Sequence, residues 1–144
     1  MRLYFGHPVN SYDTELEAYI LERVPRLIPS CTLENPNTVA HQEGYRRSKS
    51  RTGNGMVYFY ECVLPLCDGG VFLPFGDGMW GAGVAGEARY FLMHGMPVWQ
   101  IRITSKPTRG LILQPVESYS RIRALSVGQT RSRLYDARGM REYE

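Results

Sequence analysis

Three short apolar runs constrain this chain most: RLYFGHP at residues 2–8, VFLPF at 71–75 and VWQIRI at 98–103. Each is too short for a core helix, rich in aromatic or branched residues and bounded by turn formers, so each is expected to be a buried strand. Between and after them, apolar residues recur at helical spacing. Leu16, Ile20, Val24 and Leu27 make one face behind Thr14 and Glu17, which stand three apart as a capping box, while Pro25 and Pro29 predict a ragged end. Ala85, Ala88, Phe91 and Leu92 make a second face, closed by Gly95 and Pro97. A carboxyl-terminal helix is expected behind a Ser126/Gln129 capping box, with Val127, Thr130, Leu134 and Ala137 as its buried stripe.

The remaining segments carry weaker signals. Residues 32–36 read as a brief strand before the Asn35-Pro36-Asn37 turn, and residues 38–51 as a polar helix that Thr52-Gly53-Asn54-Gly55 must break. MVYFYECVLPLC at 56–67 is apolar nearly all round, which suits a buried helix with an irregular last turn at Pro65, or else a strand. Gly69-Gly70 reads as a break, and Leu111 to Val116 as a last strand. Strands alternating with helices imply an α/β fold: a doubly wound, five-stranded, mainly parallel sheet of the flavodoxin-like or Rossmann-like kind, with helices on both faces. Residues 1–144 are expected to form one domain. In such a sheet ligands bind beyond the carboxyl ends of the strands, so Gly6-His7-Pro8, residues 74–78 and residues 82–87 should border one cleft.

Composition narrows the partners. No apolar run is long enough to span a bilayer, and MRLYFGHPVN lacks the successive sections of a signal peptide, so a cytoplasmic protein without membrane contact is expected. Three cysteines do not make a disulfide framework, and the scattered His7, His41 and His94 give no metal-ligand spacing; no metal is expected. The net charge of +3 comes mainly from YRRSKSR at 45–51 and the Arg-rich end. These basic residues are few and lack interleaved aromatics, which argues against a nucleic-acid partner.

The chemistry concentrates in GMWGAGVAGEA at 78–88, where four glycines surround one carboxylate, Glu87, at an expected helix start. Gly81, Gly83 and Gly86 are expected to let the backbone approach a ligand closely, and a helix start favours polar or anionic groups. The helix dipole should keep Glu87 ionised, which suits a nucleophile; alternatively Glu87 merely complements that dipole.

Three segments, in order, resemble the nucleoside 2-deoxyribosyltransferases and the related deoxynucleoside monophosphate N-glycosidases. They are Leu3-Tyr4-Phe5-Gly6, the run from Leu64 through Cys67-Asp68-Gly69-Gly70 to Leu73, and Gly83-Val84-Ala85-Gly86-Glu87-Ala88 through His94-Gly95-Met96-Pro97-Val98. The resemblance spans residues 2 to about 103. It implies that Glu87 attacks the anomeric carbon of a deoxyribose, that Tyr4 orients it through the phenol, and that no cofactor is needed. Tyr4 reads equally as a core aromatic. Gly6, His7, Asp68, Gly81 and Gly83 are candidate substrate contacts.

Two departures stand out. Gly81 occupies the position six before the nucleophile where the family usually carries Asp or Ser, and the family's second acid falls on Tyr60, with Glu61 one step away. Glu61 and Asp77 are therefore the candidates to assist base departure. The resemblance further implies a nucleoside or nucleotide substrate and a homo-oligomer, dimer or larger. A non-catalytic nucleotide-binding module of the same fold is the alternative.

Overall fold

The computed structural model describes residues 1–105 and 108–135, and in them the apolar runs pair into one five-stranded sheet. The strands are β1 (Arg2–Gly6), β2 (Thr32–Glu34), β3 (Gly69–Phe72), β4 (Val98–Thr104) and β5 (Gly110–Pro115). Their spatial order is β2-β1-β3-β4-β5, with every neighbour parallel except β5, which runs antiparallel to β4. Only residues 105–109 separate β4 from β5, too few for a parallel crossover, so the chain must return on itself.

Side chains alternate across the sheet, as a period of two requires. Leu3, Phe5, Val71 and Leu73 join a buried cluster with Leu16, Ile20 and Val24 of α1 (Glu15–Leu27). Tyr4 and Phe72 join the other cluster, with Val84, Ala88 and Phe91 of α4 (Ala82–Met93) and with Phe59 and Val63. Gly69 and Gly70 are not a break but the first half of β3. A Cβ at Gly69 would lie 2.4 Å from the Pro97 carbonyl oxygen, and one at Gly70 would lie 2.5 Å from the Phe72 ring. Close packing, not turn geometry, demands these glycines.

The helix starts are set by side chains. Thr14 Oγ1 accepts from Glu17 N at 3.2 Å and Thr38 Oγ1 accepts from His41 N at 3.1 Å, opening α1 and α2 (Val39–Thr52). Gly53 ends α2 at φ 81°, a left-handed conformation that glycine adopts without strain. α1 runs through Pro25 and stops at Leu27. The apolar segment after α2 is less regular than its composition predicts: α3 (Met56–Tyr58) passes into a π-helical turn over Phe59–Val63 and a 3-10 turn over Leu64–Leu66.

The carboxyl-terminal stretch is docked on the rest. Trp80, fully buried, donates from its backbone to the Arg123 carbonyl and accepts from Leu125 N, both at 2.8 Å. Then α5 (Val127–Tyr135) begins with the expected capping box: Gln129 N donates to Ser126 Oγ at 3.0 Å, and Ser126 N to Gln129 Oε1 at 2.9 Å. The stripe expected on α5 is only partly realised. Thr130 and Leu134 are half-buried, whereas Val127 is exposed and Ala137 lies outside the described residues. No helix among the described residues is long and apolar enough to cross a membrane.

Candidate functional site

Beyond the carboxyl end of β1, and beside the start of α4, lies a cavity of ≈ 480 Å³. The chain leaving β1 contributes His7, Pro8, Val9 and Tyr12, and β1 itself contributes Tyr4. From α2 come Gln42, Tyr45 and Arg46, and from the segment that follows, Met56 and Phe59. Phe75, Gly81, Gly83, Val84 and Glu87 form a further wall, closed by Thr130 and Leu134 near the carboxyl end of the described chain. The lining is mostly apolar and aromatic with a few convergent polar groups, the usual character of a small-molecule site.

Glu87 is 5% exposed, and the buried Tyr4 phenol donates to its Oε2 in a short hydrogen bond. Tyr4 is held by the Phe59, Phe72 and Phe91 rings, whose centroids lie 6.2–6.4 Å away, so β1 presents a fixed donor to α4. The ionised Glu87 expected from the helix dipole is not what the environment favours. Burial pushes its pKa up to about 8, and the Tyr4 hydrogen bond only partly opposes this. Glu87 is the sixth residue of Ala82–Met93, beyond the first turn where the dipole is felt. Burial also drives the Tyr4 phenol well above its ordinary pKa, with the nearby Glu87 charge adding to it, so Tyr4 stays a neutral donor.

His7 is buried in the opposite part of the lining. Its ring stacks on Phe5 at 3.7 Å, and Tyr12 lies 4.7 Å away. Nδ1 donates to the Phe5 carbonyl at 3.0 Å, while Nε2 meets Glu17 Oε2 at 2.8 Å. A carbonyl can only accept, so the Nε2–Glu17 contact holds one further proton shared by the pair. Burial lowers the His7 pKa, opposed by the bond to Glu17. Glu17 is fixed in turn by Asn37 Nδ2 at 3.0 and 3.1 Å. With both ring nitrogens engaged, His7 offers a ligand a wall and not a free nitrogen.

The structure thus brings Tyr4, His7, Gly81, Gly83 and Glu87 to one cavity and leaves four other predicted positions outside it. Gly6 is not in the lining; a Cβ there would sit 2.4 Å from the Phe72 ring, so its small size serves packing. Asp68 precedes β3, at the other end of the sheet, and its Oδ2 accepts from Arg2 N at 2.7 Å. Glu61 is exposed and borders a separate groove with Arg47, Arg51 and Tyr58. The π-helical turn carries Phe59 to the cavity and Glu61 away from it. Asp77 is paired with Arg133 at 2.8 Å, which lowers its pKa, and lines another cavity with Gln100 and Arg102.

Tyr60 stands between these sets. Its hydroxyl packs over Gly86, where a Cβ would lie 2.6 Å from it, and burial raises its pKa to about 12, with Glu87 contributing. Cavity residues that the sequence reading missed include Tyr12, Gln42, Phe59, Phe75 and, from the far end of the chain, Thr130 and Leu134 as ligand-facing groups. Among the described residues no group of three or more His, Cys, Asp or Glu side chains could hold a metal ion. No family model, curated protein or solved structure matches the chain.

Proposed function

We propose that this protein cleaves the N-glycosidic bond of a nucleoside or nucleotide, or transfers its deoxyribosyl group, through a covalent ester on Glu87. The observation that carries the reading is the buried Tyr4–Glu87 hydrogen bond in the wall of an apolar cavity large enough for such a ligand. The deprotonated fraction of Glu87 attacks the anomeric carbon. The carbon–nitrogen bond breaks, its electron pair leaves with the base, and the base nitrogen takes up a proton from solvent. Water or a second base then displaces the sugar from Glu87 and restores the carboxylate. Tyr4 steadies the attacking carboxylate by donating to the oxygen that bears charge. Tyr12, Tyr45, Phe59 and Phe75 offer faces on which a base can pack. Arg46 suits a phosphate on the sugar.

The wider assignment goes with this reading: similarity to the nucleoside 2-deoxyribosyltransferases and deoxynucleoside monophosphate N-glycosidases, a doubly wound flavodoxin-like sheet, a cytoplasmic setting and a homo-oligomer. The strand order β2-β1-β3-β4-β5 supports the sheet assignment. Incubation with the common 2′-deoxynucleosides and their 5′-monophosphates should liberate free base, and Glu87→Ala should abolish the release. A panel that yields no base from the wild-type protein rejects the enzyme.

One observation favours a second reading. Glu87 is the only carboxyl group lining the cavity among the described residues, and burial favours its protonated form. A module that binds nucleotides without turning them over fits that arrangement too. Thermal stabilisation by a nucleotide without base release would select it.

A further inference from the structure

We propose that Thr130, on the carboxyl-terminal helix α5, is a ligand-positioning residue of the Glu87 cavity, supplying the hydroxyl that the start of α4 lacks at Gly81. The inference rests on the glycosyl-transfer reading of that cavity.

Gly81 is the residue before α4 and has no side chain to cap it. The cap comes instead from 48 residues away: Ala82 N donates to Thr130 Oγ1 at 2.9 Å. The two positions share one space, because a Cβ on Gly81 would lie 3.3 Å from Thr130 Cγ2. Thr130 also donates its hydroxyl proton to the Ser126 carbonyl at 2.8 Å. A hydroxyl oxygen has two lone pairs, of which Ala82 N takes one. Thr130 lines the cavity together with Glu87, and in the proposed arrangement a sugar hydroxyl donates to the second lone pair.

The rest of α5 is held so that this hydroxyl stays in place. Arg133 pairs with Asp77 and lies over the Phe75 ring at 4.5 Å, and the Trp80 backbone bonds on both sides of Ala124. Leu134, one turn after Thr130, closes the same wall with an apolar side chain. The helix carrying Glu87 and the helix carrying Thr130 therefore act on a ligand as one unit.

The test compares wild type, Thr130→Ser, Thr130→Val and the relocation variant Gly81→Ser/Thr130→Ala, using the deoxynucleoside 5′-monophosphate that wild type turns over best. Thr130→Val should raise KM about tenfold with kcat within about threefold, the scale of one lost hydrogen bond. Thr130→Ser keeps the oxygen and should stay near wild type. The relocation variant puts a hydroxyl back on α4, where serine also caps well, and should recover most of the KM. A wild-type KM in Thr130→Val, or a Thr130→Ser as impaired as Thr130→Val, overturns the inference and leaves the activity standing. Where Thr130→Val does not fold, KM in Thr130→Ser and in the relocation variant decides. A wild-type protein that releases no base from any of the monophosphates overturns the glycosyl-transfer reading, and this inference with it.

Discussion

Tyr4 and Glu87, 83 positions apart in sequence, meet in a buried hydrogen bond that joins β1 to α4 at the cavity wall. The phenol is fixed by three aromatic rings and the carboxyl by the helix, so neither group must be ordered when a ligand arrives.

The pair makes the pH dependence of base release a direct probe. With the Glu87 pKa raised to about 8, the attacking carboxylate is a minority form at neutral pH, so kcat/KM should climb through that region and level off above it. Tyr4→Phe keeps the ring packing and removes the donor. Release at neutral pH should fall about 10–100-fold, the scale of a hydrogen bond to a charged group, and the rise should move to higher pH. A profile flat across this range in both proteins contradicts the assignment.

Stability should show the same proton. The folded pKa of Glu87 lies above its ordinary value of 4.5, so its favourable contribution is complete below that value and lost as pH rises through about 8. Glu87→Gln keeps an acceptor for Tyr4 without the cost of burying a charge. The variant should gain on wild type as pH rises, by on the order of a few kcal/mol near pH 9, at about 1.4 kcal/mol per pKa unit. Chemical denaturation at several pH values measures the difference; a constant gap would contradict the buried, shifted carboxyl.

Glu61→Gln and Asp77→Asn separate acids placed outside the cavity from the one inside it. Glu61 borders another groove and Asp77 is tied to Arg133, so both variants should release base within about threefold of wild type, a change below the net worth of one typical hydrogen bond. A loss comparable to that of Glu87→Ala in either variant would restore it as the acid that assists base departure.

Gly6 tests packing apart from chemistry. Its Cβ would fall 2.4 and 2.6 Å from two atoms of the Phe72 ring, itself fully buried, so Gly6→Ala should cost ~1–3 kcal/mol by overpacking. Thermal melting without ligand is the measurement, and an unchanged melting temperature would mean that Phe72 gives way freely.

What could be read in advance follows from how local each cause is. The Ser126/Gln129 box, the Thr14 cap and the strand at Leu3–Phe5 depend on neighbours a few residues away, and these were legible. Gly69 and Gly70 were misread as a break because their reason is close packing, against Pro97 of a distant segment for Gly69 and against the Phe72 ring of the same strand for Gly70. The π-helical turn that parts Phe59 from Glu61 leaves no mark in hydrophobic periodicity. Thr130 was visible as a helix residue, but its place beside Gly81 is a tertiary contact. The charge state of Glu87 was misjudged for a similar reason: distance from the helix start and burial outweigh the dipole.

The covalent ester on Glu87 is the central claim, and mass spectrometry of rapidly quenched protein tests it most directly. During turnover of a 2′-deoxynucleoside 5′-monophosphate, the peptide carrying Glu87 should gain the mass of one phosphorylated deoxyribosyl group, and the Glu87→Ala protein should gain none. Base release with no adduct on that peptide, or an adduct that persists in Glu87→Ala, would contradict it.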